Sequence, residues 1–239
     1  MKPRVHFRDF GRADYRPVWD EQERVFAEML ARKSARRSDP GLAPPDSHLF
    51  FVEHAHVFTL GKSGDAGNVL AQPDELAARG AEVVPINRGG DITYHGPGQL
   101  VGYPLLDLEQ FFTDIGRYMR TLEEAIIRTC SDFGVETGRI AGLTGVWVEP
   151  DRPTARKIAA LGVKSSRWVT MHGFAFNVDP DLSYFGLIVP CGIVDRGVTS
   201  LARELGRPVA VADVAPAVRD HLTELFGWDL QLNELPFSE

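Results

Sequence analysis

Residues Arg88 to Pro104 read RGGDITYHGPGQLVGYP, five glycines and two prolines within seventeen positions. Proline and glycine at this density forbid a helix, so the middle of the chain is read as strands joined by tight turns. Gly89 and Gly90 permit positive φ and let main-chain N–H groups come close to a ligand, while Arg88, Asp91, Tyr94, His95 and Gln99 supply polar heads around them. A phosphate-binding loop is one reading, although neither GxxxxGK[ST] nor GxGxxG is present. His95 in this setting is either a structural hydrogen-bonding group or a participant in chemistry.

Outward from this segment, His48–Leu60 (HLFFVEHAHVFTL), Glu82–Ile86 and Gln99–Leu106 are rich in β-branched and aromatic residues and read as strands. Further strands are expected at Val5–Phe7, Val135–Arg139, Gly145–Glu149, Lys157–Ser165 and His172–Val178. Val18, Val25, Phe26, Met29 and Leu30 recur at helical spacing between Tyr15 and Arg37. A second helix runs over Thr113–Phe133 with Asp114 as cap and Cys130 on its buried stripe; a third covers Val214–Phe226 with Asp213 as cap and Pro216 in its first turn. Helix, strands, helix, strands, helix predicts an α/β (α+β type) fold, a mixed sheet with packed helices, in a single domain over 1–239, with the last forty residues as a candidate appendage. Pro40, Gly41, Pro44 and Pro45 place an exposed loop within 34–47. The basic group before it, Arg32, Lys33, Arg36 and Arg37, is either a solvated helix end or a docking patch for an acidic partner.

Thirty-three acidic residues against 26 basic ones give a net charge of −7, which speaks against a protein devoted to nucleic-acid phosphates. Two cysteines 61 positions apart suggest neither a zinc ribbon nor a disulfide framework, and cytosolic localisation fits best. Charge interrupts every apolar run of the first twenty residues, and no segment has the length of a spanning helix, so neither a signal peptide nor a membrane anchor is expected. His54 and His56 are the only histidines at strand spacing, too few for a metal site, and no cofactor is implied.

Two further segments carry chemistry. Lys157–Asn177 reads KIAALGVKSSRWVTMHGFAFN and holds two of the chain's five lysines, against 21 arginines. A lysine in an apolar strand can lose its proton in a desolvated site, whereas an arginine cannot; on spacing alone Lys157 and Lys164 are equally compatible with a surface role. LIVPCGIVDRGVTS sets Cys191 between proline and glycine at a rigid bend, where its sulfur is a nucleophile, a packing group, or a metal or redox ligand.

RGGDITYHGPGQLVGYPLLDL, KIAALGVKSSRWVTMHGFAFNV and PCG, in this order and spacing, resemble the lipoyl(octanoyl) transferases over about Phe51–Ser200. EHAHVFTLGK at Glu53–Lys62 is similar to the family's strand pair, except that His56 stands where a smaller or apolar residue is expected. The resemblance implies octanoyl transfer from octanoyl-acyl carrier protein to a lysine of lipoyl domains, those of 2-oxoacid dehydrogenase complexes and of glycine cleavage H protein. It implies a fold like the catalytic domain of biotin protein ligases and lipoate ligases. It makes Cys191 the acyl-thioester nucleophile and Lys157 its acid–base partner, and demotes Lys164. Substrate contacts then fall on Arg88, Gly89, Gly90, Asp91, Ile92, Thr93, Tyr94 and His95, on Ala160, Leu161 and Gly162, and on Gly173, Phe174 and Ala175.

The pair makes sense physically. A cysteine with a pKa near ~8.5 is only a few per cent thiolate at neutral pH, and an adjacent ammonium favours the anion. The turns at Gly89–Gly90 and His172–Gly173 are candidate oxyanion donors, and Ala159, Ala160 and Gly162 could line an acyl slot. For docking, a second basic cluster of Arg152, Arg156 and Arg167 joins the first. Rival readings are an ATP-dependent lipoate or biotin ligase, in which the PCG turn has no part, and a non-catalytic carrier-binding scaffold.

Overall fold

The computed structural model describes residues 2–189 and 196–232. Chain order is β1 (Arg4–Ala13), α1 (Tyr15–Ser38), β2 (Ser47–His54), β3 (Val57–Leu60), α2 (Pro73–Ala78), β4 (Glu82–Pro85), β5 (Ile92–His95), β6 (Gln99–Leu105), α3 (Ile115–Asp132), β7 (Thr137–Ile140), β8 (Leu143–Val148), β9 (Arg156–Ser166), β10 (Val169–Asn177), β11 (Gly197–Val198), α4 (Leu201–Leu205), α5 (Val211–Phe226) and β12 (Asp229–Leu232).

The strands form a mixed sheet in the order β12-β1-β2-β6-β10-β9-β8-β7, with β11 added to β9, and a second sheet in the order β4-β3-β5. β1 runs parallel to both β2 and β12, and the path from β2 to β7 is antiparallel throughout. Alternation along β2 sets the layers. Leu49 and Phe51 join Tyr118, Leu122 and Ile126 of α3 and Val214, Val218 and Leu222 of α5 on one face. Phe50 and Val52 meet Val18, Val25, Phe26 and Met29 of α1 on the other. The small sheet has its own core of Phe58, Ile92 and Tyr94 beneath Tyr184 and Leu187, and Tyr15 at the start of α1 packs against Val57, Val84 and Ile86.

α3 starts where its sequence predicts, with Asp114 Oδ1 accepting from the Arg117 N–H at 2.9 Å. α5 corrects the expectation: it begins at Val211, Asp213 lies in its first turn rather than at the cap, and Pro216 falls in the second turn. There the proline has no N–H for the carbonyl four residues back, and burial of Val214, Val218 and Leu222 holds the helix regardless. His48–Leu60 is divided between two sheets by a turn at residues 55–56, so His54 and His56 do not share a site. His54 bonds the Ala13 carbonyl and the Tyr103 hydroxyl, while His56 stacks on Tyr184 at 4.2 Å and bonds the Tyr94 hydroxyl.

The basic group at the end of α1 is likewise not one solvated patch. Lys33 is buried in an ion pair with Asp107 and lies 3.0 Å from Glu109, while Arg32 and Arg36 donate to the Ala43 and Leu42 carbonyls. α1 itself continues to Ser38, so the two arginines hold the connection that follows it against the helix end. In the second cluster, Arg156 is spent on Glu149 and Glu204 and Arg167 contacts Ser34, leaving Arg152 3.7 Å from Glu149.

Candidate active site

Two adjoining chambers open where β5 of the small sheet faces β6, β8, β9 and β10 of the large one. The first, about 500 Å³, is bounded by Thr93, Gln99, Trp147, Lys157, Ala160, Ala175, Asn177 and Phe185, and by Arg196, Gly197 and Val198. The second, about 480 Å³, is bounded by Tyr15, Arg88, Gly90, Thr93, His95, Val101, Tyr103, Ala160–Gly162 and His172–Ala175. Thr93, Ala160 and Ala175 border both, and Ala160 and Ala175 are cross-strand partners, so the waist between the chambers is framed by methyl groups.

Lys157 reaches the first chamber through an irregularity in β9. Val146 pairs with Ala159 but Trp147 pairs with Lys157, so Ile158 is an extra residue. Ile158 and Ala159 both turn into the main core, leaving Lys157 and Ala160 both on the chamber side. The Lys157 ammonium lies 4.8 Å from the centre of the Trp147 ring, within cation–π range, and the Trp147 indole N–H is buried without a hydrogen-bond partner. Thr199 N–H donates to the Lys157 carbonyl at 2.9 Å, so the strand carrying Lys157 is tied to the segment after residue 196. Cys191 lies outside the described residues; the chamber-bordering Arg196 follows it by five positions.

The polar wall is a hydrogen-bonded row with one sense. Arg88 Nη2 donates to the Thr59 carbonyl at 2.6 Å and to Oγ1 at 3.0 Å, and Thr59 Oγ1 is 3.4 Å from His95 Nε2. Gln99 Nε2 donates to the Tyr94 carbonyl and to Asn177 Oδ1, so its Oε1 is the acceptor facing His95 Nδ1 at 2.8 Å. His95 therefore carries its proton on Nδ1 and accepts through Nε2. Asn177 Nδ2 closes the row on the Thr199 carbonyl. Burial pushes the His95 pKa down to about 3, with the Arg88 charge adding to the effect, so the ring is neutral and fixes the wall rather than moving protons. His172 is held down at about 3 by burial, Arg88 and Lys164, with Nε2 bonded to Asn87 Oδ1.

Of the residues singled out in the sequence, Arg88, Gly90, Thr93, His95, Ala160, Leu161, Gly162, Gly173, Phe174 and Ala175 border the chambers. Ile92 and Tyr94 turn into the small-sheet core, and Asp91 turns outward to accept from the Asp65 N–H and from Asn68. The loop is clamped from the other side, where Gly61, Lys62 and Ser63 donate to the carbonyls of Asp91, Arg88 and Gly90, and a Cβ on Gly61 would come 2.2 Å from the Gly90 oxygen. Two of the proposed oxyanion donors are already engaged, Gly89 N–H by the Val163 carbonyl and His172 N–H by Gln22. Ala159 faces the core, not the slot. His56 joins the aromatic stack of the small sheet instead of the chamber walls. Lys164 is 3.3 Å from Glu23 and packs over Phe26, at the other end of β9 from Lys157. Sequence reasoning missed Trp147, Asn177 and Tyr103, whose place at the site is set by cross-strand neighbours, and Tyr15, which α1 brings to it by packing on the small sheet; none belongs to a local motif. Among the described residues no helix is long and apolar enough to cross a membrane.

Residues 14–223 match the lipoyl protein ligase A/B catalytic domain. Among curated relatives, the octanoyltransferase of Flavobacterium johnsoniae is 52% identical, covering 95% of this chain and 98% of its own length. That of Cytophaga hutchinsonii is 54% identical, covering 91% of each. Among solved structures, a bipartite lipoate protein ligase from an archaeal lipoylation system of Thermoplasma acidophilum superposes with TM-score 0.68 at 16% identity, covering 99% of this chain and 88% of its own. A lipoate-protein ligase A bound with ATP gives 0.67 at 17%, covering 99% and 90%. These likenesses extend to the fold, the mixed sheet with packed helices that the sequence predicts.

Proposed function

We propose, on the premise that this chain belongs to the lipoyl protein ligase A/B catalytic-domain family, that it is an octanoyltransferase working through an acyl-cysteine. The donor is octanoyl-acyl carrier protein and the acceptors are lipoyl domains of 2-oxoacid dehydrogenase complexes and glycine cleavage H protein, in the cytosol. The supporting observation is the Lys157 ammonium in a chamber that continues past the methyl waist of Ala160 and Ala175 and is bordered by Arg196, Gly197 and Val198.

Cys191 is the nucleophile and Lys157 holds the proton. The Cys191 thiolate, favoured by the positive charge of Lys157, attacks the carrier thioester; the new S–C bond forms as the carrier sulfur leaves and takes a proton from Lys157. One thioester replaces another, so this half-reaction is close to balanced. In the second half an acceptor lysine arrives as a neutral amine and attacks the acyl-cysteine carbonyl. Lys157 takes the proton shed as the amide forms, and Cys191 leaves as thiolate, which restores the starting ion pair. The octanoyl tail passes the Ala160–Ala175 waist into the second chamber, where Val101 and the rings of Tyr15 and Tyr103 offer apolar surface. Arg88, Gly90, Thr93, His95 and Gly173 shape its walls, and Gly89, Asp91, Ile92 and Tyr94 hold the loop and β5 that carry them.

The test is intact-protein mass spectrometry after mixing with octanoyl-acyl carrier protein and no ATP. One octanoyl group should be gained, labile to hydroxylamine and discharged by a lipoyl domain, absent from Cys191→Ala and slow to appear in Lys157→Ala. Loading that requires ATP and free octanoate or lipoate overturns the reading in favour of a ligase.

A further inference from the structure

Glu123 is a fully buried carboxylate on α3, and only half of its hydrogen bonding is accounted for by charge. Its Oε2 meets Arg120 at 2.7 Å and Arg139 at 3.0 Å. Its Oε1 accepts the backbone N–H of Gly145, on β8, at 3.0 Å. Gly145 has φ +130, a conformation closed to ordinary side chains, and its α-carbon faces the stem of Lys157. A Cβ built there would lie 3.2 Å from Lys157 Cε, 3.3 Å from Cδ and 2.8 Å from the Ala159 carbonyl. Two residues on, Trp147 lies under the Lys157 ammonium. The lysine stem thus runs along bare backbone at Gly145 and ends over an indole, and the carboxylate of Glu123 fixes where that backbone lies.

We propose that Glu123 is a positioning residue for acyl transfer: through its hydrogen bond to Gly145 it sets the β8 backbone against which the Lys157 side chain is aligned. This rests on the acid–base role of Lys157 proposed above. An ammonium on a four-carbon stem has several rotamers, and reaction requires the one that reaches both the thiolate and the arriving amine. The arginines orient Glu123; α3, whose residues Tyr118, Leu122, Ala125, Ile126 and Cys130 are packed in the core, gives it a rigid base.

The experiment is a double-mutant cycle with a readout separate from turnover. Glu123→Asp keeps the buried charge beside its arginines and withdraws the carboxylate from Gly145; Glu123→Gln keeps the length and an acceptor oxygen. Single-turnover loading from octanoyl-acyl carrier protein should slow roughly 10- to 100-fold in Glu123→Asp, the scale of a misplacement of about 1 Å, with a smaller loss in Glu123→Gln. The KM for the carrier should change less than about twofold. The pH profile of iodoacetamide alkylation at Cys191 should move upward in Glu123→Asp, toward that of Lys157→Ala; Cys130 does not interfere, since burial pushes its pKa up to about 12. In the Lys157→Ala background Glu123→Asp should have no further effect on either measurement. Equal slowing in both backgrounds, or an unmoved alkylation profile, would reduce Glu123 to a structural role and overturn the inference. If Lys157→Ala itself loads at the wild-type rate, it is the reading of Lys157 that fails. Should Glu123→Asp not fold, Glu123→Gln, which keeps the side-chain length, carries the same comparison with the same outcomes at its smaller expected loss.

Discussion

Replacing Ala160 by valine adds two methyl groups at the waist between the chambers without disturbing the strand, since β-branched residues suit β9 and Ala160 already faces the cleft. Ala175 stands directly across in β10 and Thr93 completes the ring, so the added methyls have no direction to go except into the passage. If they deny the tail the space of two methylenes, at ~0.8 kcal/mol each, octanoyl loses about 1.6 kcal/mol of burial. That corresponds to about a 15-fold fall in the loading rate constant per concentration of donor. A butyryl donor, four carbons shorter, should lose less than octanoyl does. Acyl-carrier substrates of four, six, eight and ten carbons can be compared by quenched-flow mass spectrometry of the Cys191 adduct, with thermal melting to confirm the fold. A uniform fall across all lengths, or an octanoyl rate equal to wild type, would refute the assignment of the second chamber to the tail.

Three other outcomes follow from groups already described. His54, His95 and His172 have pKa values lowered by burial to about 4, 3 and 3, below the ordinary ~6.5 of the unfolded chain. The unfolded chain therefore takes up protons first as pH falls, and stability should be level above about pH 6.5 and decline toward pH 4, by up to about 1.4 kcal/mol per pH unit for each histidine. Urea melts at pH 7.5, 6 and 5 check this, and a midpoint independent of pH would contradict it. Lys33→Met leaves Asp107 buried without its cation and should cost about 3–5 kcal/mol in urea denaturation; a loss below about 1 kcal/mol would mean that Glu109 and Asp107 are not held by this lysine. Cys130→Ala should load octanoyl as fast as wild type while Cys191→Ala gains no mass, and slow loading by the Cys130 variant would count against its purely structural place on α3.

What the sequence disclosed depended on whether the signal was local. α3 was legible to its cap because its buried stripe and Asp114 lie within one helix. The glycine-rich segment was legible as strand and turn, but not as a bridge between two sheets, because β5 and β6 have similar composition and their pairing partners, β3 on one side and β2 and β10 on the other, lie far away in the chain. Lys157 stood out by rarity, yet period-two alternation would place it on the same side as Ala159, and only the extra residue at Ile158 turns it to the cleft. Lys33 appeared among surface arginines for want of any sign that Asp107 lies across from it. Glu123 read as one more helical carboxylate, since its partners Arg139 and Gly145 belong to the strands that follow.

β6 and β10 are buried along their whole lengths on both faces. A strand with one wet face is held in place by its alternation, because a slip of one residue would exchange inside for outside; these two have no such penalty. Their alignment is decided by chemistry at one end, where Gln99 lies directly opposite Asn177 and the two amides bond to each other, to His95 and to the Thr199 carbonyl. A slip of one position would break the bond between the two buried amides and leave a donor on one and an acceptor on the other without a partner. The row that walls the chamber is thus also the key that indexes the centre of the sheet, and a chain that has paired β6 with β10 correctly has, by the same bonds, already built that wall.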